Sequence, residues 1–193
     1  IAAADYAVVN LESPIGGHPY TGYPCFSAPD EFPIALQNAG FDLFLTANNH
    51  CLDRYTRGAI RTLHILDSIG ADHIGTYDSK DSFERFYPFI TSIKGIRIAF
   101  LNYTYGTNGF TPHSPLIVNY IDEEKIKKDI FRAKTLSADL IVACLHWGDE
   151  YQLLPNKRQE DLADFLAKEG VQLIIGAPPH VIQPMELRYD EQG

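Results

Sequence analysis

The sequence predicts an α/β layered domain with mixed sheets, and three observations carry that expectation. Short apolar runs of strand length alternate with longer stretches whose apolar residues recur at helical spacing. A two-residue Lys94-Gly95 step joins two β-rich runs, so one strand pair is antiparallel. The chain has 193 residues, 45% of them hydrophobic, which suits one core of ordinary globular composition.

The elements follow in order. Residues 5–11 (DYAVVNL) are an apolar run, read as a buried strand. Residues 13–29 are rich in Pro and Gly and read as a loop. Asp30 is placed to cap a helix over 31–39, which Gly40 stops. Residues 41–46 (FDLFLT) form the next strand. Ala59, Ile60, Leu63, Leu66 and Ile69 stripe a helix over 56–69, ended by Gly70. Residues 87–93 and 96–101 form the hairpin, and 102–119 read as a long loop bearing Tyr, Gly and Pro. A charged helix follows at 122–136, with a solvated Lys/Glu face. Residues 139–145 (DLIVACL) are a strand. Residues 156–169 are an amphipathic helix with Leu162, Phe165 and Leu166 on one side. Residues 171–175 (VQLII) are another strand, and 185–189 are expected as a further one.

A net charge of −9 disfavours wholesale binding to nucleic acid or to an anionic membrane. No apolar run is long enough to cross a bilayer. Cys25, Cys51 and Cys144 are far apart and form no Cys-x-x-Cys pair, which rules out a zinc knuckle.

Polar residues of unusual chemical capability collect where strands end. The first strand runs into Asn10-Leu11-Glu12 and the second into Asn48-Asn49-His50, with Asp53 three residues on. The strand over 139–145 runs into His146-Trp147-Gly148-Asp149-Glu150-Tyr151. The next runs into Gly176-Ala177-Pro178-Pro179-His180. If these strands are parallel, the exits lie along one sheet edge, where open α/β sheets bind ligands. Glu12, Asn49, His146 and His180 would then converge. A carboxylate, an amide oxygen and two imidazoles suit manganese, iron, zinc or cobalt better than calcium. Ligands gathered from distant strand ends fit hydrolases in which ions clamp the attacking and leaving oxygens of a phosphate ester. No P-loop, Gly-x-Gly-x-x-Gly or Gly-x-Ser-x-Gly motif competes with this reading.

Each residue also has a plainer reading. Asn48-Asn49 suits a turn. His146 suits a core histidine bonded to backbone, His180 a rigid turn between Pro179 and Val181, and Glu12 a cap on the loop at Ser13. Tyr103, Tyr105 and Phe110 are equally a substrate lid or loop packing.

The segments VVNLESPI (8–15), AGFDLFLTANNHCLD (39–53), LHWGDEY (145–151) and GAPPHVIQPME (176–186) resemble, in the same order, the CapA family of poly-γ-glutamate capsule proteins. That family is similar in fold to calcineurin-like metallophosphoesterases. The resemblance implies a layered αββα sandwich, cut short at both ends, spanning 1–193 as one domain. It implies one or two divalent ions of the Mn, Fe, Zn or Co type. Glu12, Asn49, His146 and His180 would be metal ligands. His50 would protonate the leaving group, with Asp53 orienting it. Asn10, Asn48, Trp147, Glu150 and Tyr151 would face the substrate.

Two departures stand out. The family's opening Gly-Asp strand and closing Gly-Asn-Phe strand are not in this sequence. Pro178 stands where the family's last motif, Gly-x-His-Pro-His, has its first His, and proline cannot bind a metal. The implied activity is a metal-dependent hydrolase or transferase acting on a phosphoester or an anionic polymer. The alternative is a non-catalytic polymer-binding or assembly component of a capsule export machine. A third reading is an amide-bond hydrolase using the same ions. Membrane-bound capsule-synthesis partners and an extracytoplasmic, membrane- or lipid-anchored placement are further expectations of the resemblance.

Overall fold

Parallel strands need crossovers, and here the helices supply them. The structure, a computed structural model, describes residue 1 and residues 3–188. Along the chain come β1 (Val8–Asn10), α1 (Glu31–Asn38), β2 (Leu43–Leu45), α2 (Tyr55–Ser68), β3 (Asp72–Ile74), β4 (Thr76–Tyr77) and α3 (Lys80–Phe86). They are followed by β5 (Phe89–Ile93), β6 (Ile96–Thr104), β7 (Ile117–Val118), α4 (Glu123–Thr135), β8 (Leu140–His146), α5 (Lys157–Lys168) and β9 (Leu173–Ala177).

One sheet is all parallel, in the order β1-β2-β3, with Val8 opposite Leu43 and Leu43 opposite Asp72. The second runs β5-β6-β8-β9. Its β5–β6 hairpin turns at Lys94 and Gly95, both at positive φ as a two-residue turn of this kind requires, and β6, β8 and β9 are parallel. β4 and β7 form a small antiparallel pair.

The period-two alternation of strands decides what packs where. In β6 and β8, Ala99, Leu101, Tyr103, Ile141, Ala143 and Leu145 point one way, onto Ile126 and Ile130 of α4 and Leu162 and Leu166 of α5. Phe100, Val142 and Cys144 point the other way, onto Leu43, Leu45 and Ile74 of the first sheet. The outer face of the first sheet, with Phe44, packs on Leu66 of α2 and Leu36 of α1. The layers are therefore helix, sheet, sheet, helix, an αββα sandwich. His146 shares the parity of Val142 and Cys144, so its ring lies in the seam between the sheets.

Several expectations are corrected. The four strand exits do not share one sheet edge: two belong to each sheet, and those of β1, β2 and β8 meet across the seam. Met185–Arg188 form no strand, and Tyr189 lies outside the described residues. Asp30 does not cap α1 with its side chain. Its carboxylate instead holds Arg61 of α2 through two bonds of 2.8 Å, tying the 13–29 loop to that helix. The caps that do form are Ser79 on α3, Asp122 on α4 and Asn156 on α5, the last in a reciprocal capping box with Gln159.

Candidate active site

The turn after β2 is built by its own side chains. Asn48 is fully buried; its Oδ1 accepts the His50 backbone N–H at 3.1 Å, and its Nδ2 donates to the Leu11 carbonyl at 2.9 Å. The first bond folds the turn and the second ties it to the exit of β1. Asn48 also donates to Asn10 Oδ1 at 3.3 Å. Asn10, expected at the substrate, is thus a hub. Its Nδ2 lies 2.9 Å from Glu12 Oε2 and 3.4 Å from His146 Nδ1.

Three of the four expected ligands come together. His146 Nε2 is 2.8 Å from Asn49 Oδ1 and 3.7 Å from Glu12 Oε1. His146 and Asn49 are almost wholly buried. Burial pushes the His146 imidazole down to about 3, helped by the neighbouring His50 and His180. The nearby Glu12 carboxylate favours the imidazolium, but desolvation outweighs it and the ring is neutral. Burial raises the Glu12 carboxyl above its ordinary value, opposed by His50 and His180. A neutral imidazole, an amide oxygen and a carboxylate are the donor types that a divalent ion of the Mn, Fe, Zn or Co type takes. Among the described residues, no three His, Cys, Asp or Glu side chains converge, so the fit depends on the Asn49 amide.

His180 stands apart. Its Nε2 is 3.7 Å from Glu150 Oε1, and its ring stacks on Tyr151 at 5.6 Å. This cluster is set on two neighbouring loops, joined where the Tyr151 N–H donates to the Pro179 carbonyl at 2.6 Å. It lies close enough to Glu12 for the charges to influence one another. Trp147 closes over β9, where a methyl group on Gly176 would meet its indole nitrogen at 2.4 Å.

His50 and Asp53 form a second unit. Nδ1 of His50 lies 2.7 Å from Asp53 Oδ2, which also accepts the Phe26 N–H at 2.8 Å. A carboxylate accepts only, so Nδ1 carries a proton and Nε2 is the atom left for chemistry. Phe26 packs edge-on against the imidazole, 4.6 Å between centroids. Asn108 brings its side-chain nitrogen to 3.4 Å of Nδ1, and Tyr105 stacks on His146 at 6.1 Å. Phe26, Asn108 and Asn102 (buried beneath the site) had no assigned role in the sequence reading. Asn108-Gly109 carries a turn signal that marks its loop; nothing in the sequence marks Phe26.

An αββα sandwich with polar strand exits meeting at one end is a metallophosphoesterase-like fold. A similar solved structure is the NAD nucleotidase of Haemophilus influenzae. It has a TM-score of 0.52 and 19% identity over 76% of this chain and 25% of that one, a likeness of fold. The family model of the bacterial capsule synthesis protein PGA_cap matches residues 1–192, and the chain belongs to that family. It is 30% identical over 200 residues to the capsule biosynthesis protein CapA of Bacillus anthracis, covering 95% of this chain and 47% of that protein. It is 28% identical over 211 residues to the PGA biosynthesis protein CapA of Bacillus subtilis (strain 168), covering 96% and 50%. The chain spans about half the length of the curated relatives it matches.

Proposed function

We propose that this capsule-synthesis family member is a metal-dependent hydrolase or transferase acting on a phosphoester or an anionic polymer. The observation that carries the reading is the meeting of Glu12, Asn49 and His146 across the sheet seam, beside the His50–Asp53 pair. Glu12, Asn49 and His146 would hold a divalent ion, which supplies Lewis-acid polarisation and a nucleophilic water when bound. As the side chains stand, His146 Nδ1 accepts from Asn10 Nδ2 and Nε2 carries the proton toward Asn49 Oδ1; to hold an ion through Nε2 the ring would have to give up that proton. His50, oriented by Asp53, donates its Nε2 proton to the departing oxygen. Trp147, Glu150, Tyr151 and His180 border the substrate.

Metal content and phosphodiester hydrolysis of the full-length protein test this. Wild type is expected to retain a transition metal and to hydrolyse a phosphodiester, and His146→Ala to lose both. A metal-free wild type whose activity equals that of His50→Ala overturns the reading. The separation of His180 favours a second reading, an anionic-polymer-binding assembly component without catalysis. It predicts polymer binding that survives both chelation and His146→Ala, and binding abolished by chelation excludes it.

A further inference from the structure

Asn49 and His146 belong to different sheets, yet their side chains meet at 2.8 Å. The spacing of the two layers decides this distance, and hydrophobic burial, being non-directional, fixes it less sharply than hydrogen bonds do. Deeper in the seam than the site itself, Asn102 is a polar side chain placed to fix it. Asn102 lies on β6 opposite Cys144 of β8, and it is 2% exposed. Its Oδ1 accepts the Ala47 N–H at 2.9 Å, and its Nδ2 donates to the Cys144 carbonyl at 3.1 Å, with the Ala47 carbonyl at 3.5 Å. One carboxamide thereby bridges the backbone of the first sheet to that of the second. Ala47 precedes Asn49 by two residues, and Cys144 precedes His146 by two. Each arm from clamp to site is two residues long, strand from Cys144 to His146 and the tight Asn48 turn from Ala47 to Asn49, too short to absorb a shift at its root.

Two further features support the clamp. Gly75, following β3, has φ +112°, and a Cβ there would sit 2.1 Å from Asn102 Oδ1 and 2.5 Å from the Ala47 nitrogen. On this side the carboxamide fits only because residue 75 carries no side chain. On its other side Asn102 borders a cavity of about 140 Å³, lined also by Val8, Leu45, Cys144, His146 and Ile175. The packing that Phe100, Val142 and Cys144 make with Leu43, Leu45 and Ile74 is interrupted there, and the directional bonds of Asn102 stand at that gap.

We propose that Asn102 is a positioning residue: by bridging Ala47 and Cys144 across the seam, it sets the distance between the Asn49 amide and the His146 imidazole. The proposal rests on the reading above only in its metal arm. The test uses the full-length protein with Asn102→Leu, which keeps the volume and removes the bridge. Asn102→Asp, isosteric and keeping the acceptor for Ala47, is the second variant. Leu166→Ala, a core truncation on α5 against the far face of the second sheet, controls for lost stability. Two readouts are taken: the ring-nitrogen NMR signals of His146 in metal-free protein, and the affinity for Mn²⁺ alone.

Both Asn102 variants are expected to move the His146 ring signals and to weaken Mn²⁺ binding at least about tenfold. Leu166→Ala is expected to lower Tm and leave both readouts at wild-type values. Wild-type His146 signals in either folded Asn102 variant overturn the proposal, as does an equal change in Leu166→Ala. If wild type binds no Mn²⁺, the metal reading fails, and the His146 signals still decide on Asn102.

Discussion

At the scale of the residue, the His50–Asp53 pair makes a prediction about leaving groups. A general acid matters in proportion to how much the departing oxygen needs a proton. With an alkyl leaving group, His50→Ala is expected to lower kcat by about 10²–10⁴-fold. With a nitrophenyl leaving group, which departs as a stable anion, the loss should shrink to roughly tenfold or less. Asp53→Asn should follow the same pattern, since an amide at that position no longer holds the Nδ1 proton as a carboxylate does. Equal losses on both substrates would show that His50 does not deliver a proton. His146 makes a different prediction, about pH. In the folded protein its imidazole titrates near 3, against about 6.5 when unfolded. Between these values the unfolded chain binds the extra proton, so stability falls as pH falls through that window and is unaffected above it. One such group contributes a slope of at most about 1.4 kcal/mol per pH unit. Urea midpoints of metal-free protein from pH 7 to 4 should therefore drop more steeply for wild type than for His146→Gln. Parallel curves would rule out the buried neutral imidazole.

At the scale of the element, the caps divide into real and apparent. Asn156→Ala removes the side-chain half of the α5 capping box, while the backbone N–H at 156 still donates to Gln159 Oε1, and should cost about 1 kcal/mol in chemical denaturation. Asp30→Ala removes no cap. Its loss is limited to a half-exposed pairing with Arg61, which a double-mutant cycle should value at about 1 kcal/mol or less. The comparison also shows what the sequence could say. Asp30 stands where an N-cap belongs, but the choice between capping α1 and pairing with Arg61 depends on a helix 31 residues away. Long apolar runs with β-branched residues gave β8 to within a residue and the Lys94-Gly95 turn, but β5 starts two residues later than expected and β6 runs three residues further, to Thr104. β3, β4 and β7 are only two or three residues long, too short for any period to emerge. Of the expected strand at 185–189, the described residues 185–188 include apolar side chains but pair with no strand: Met185 and Leu187 stand largely exposed. At the site, Asn49, Glu12 and His146 were legible because polar groups at strand exits are conspicuous. Asn102 was not, because a lone Asn between apolar residues looks like the end of a strand, and its partners are backbone atoms 42 and 55 residues away.

At the scale of the whole molecule, two surface properties oppose each other. The charge of −9 keeps copies apart. Against it stands an apolar strip: Leu153 and Leu154 are about 70% exposed, Ile182 and Met185 more than 90%, and Leu187 76%. These segments are neighbours, because Gln183 donates to the carbonyls of Gln152 and Leu154 at 2.9 and 3.2 Å. β9, just before them, is an edge strand with Leu173 and Ile175 substantially exposed. Exposed apolar side chains beside a strand edge favour association, while like charges resist it over roughly 10 Å at 0.1 M salt. Salt screens the repulsion and leaves the apolar attraction intact. Self-association of residues 1–193 should therefore increase with protein concentration and with salt from 0.05 to about 0.5 M, the opposite of an assembly held by ion pairs. The triple variant Ile182→Ser, Met185→Ser, Leu187→Ser should reduce it. Because these side chains lie in water already, the stability of the variant should stay within about 0.5 kcal/mol of wild type. Sedimentation velocity across that salt series measures the first effect and thermal unfolding the second. Association that weakens with added salt would place the attraction in charge rather than in the strip.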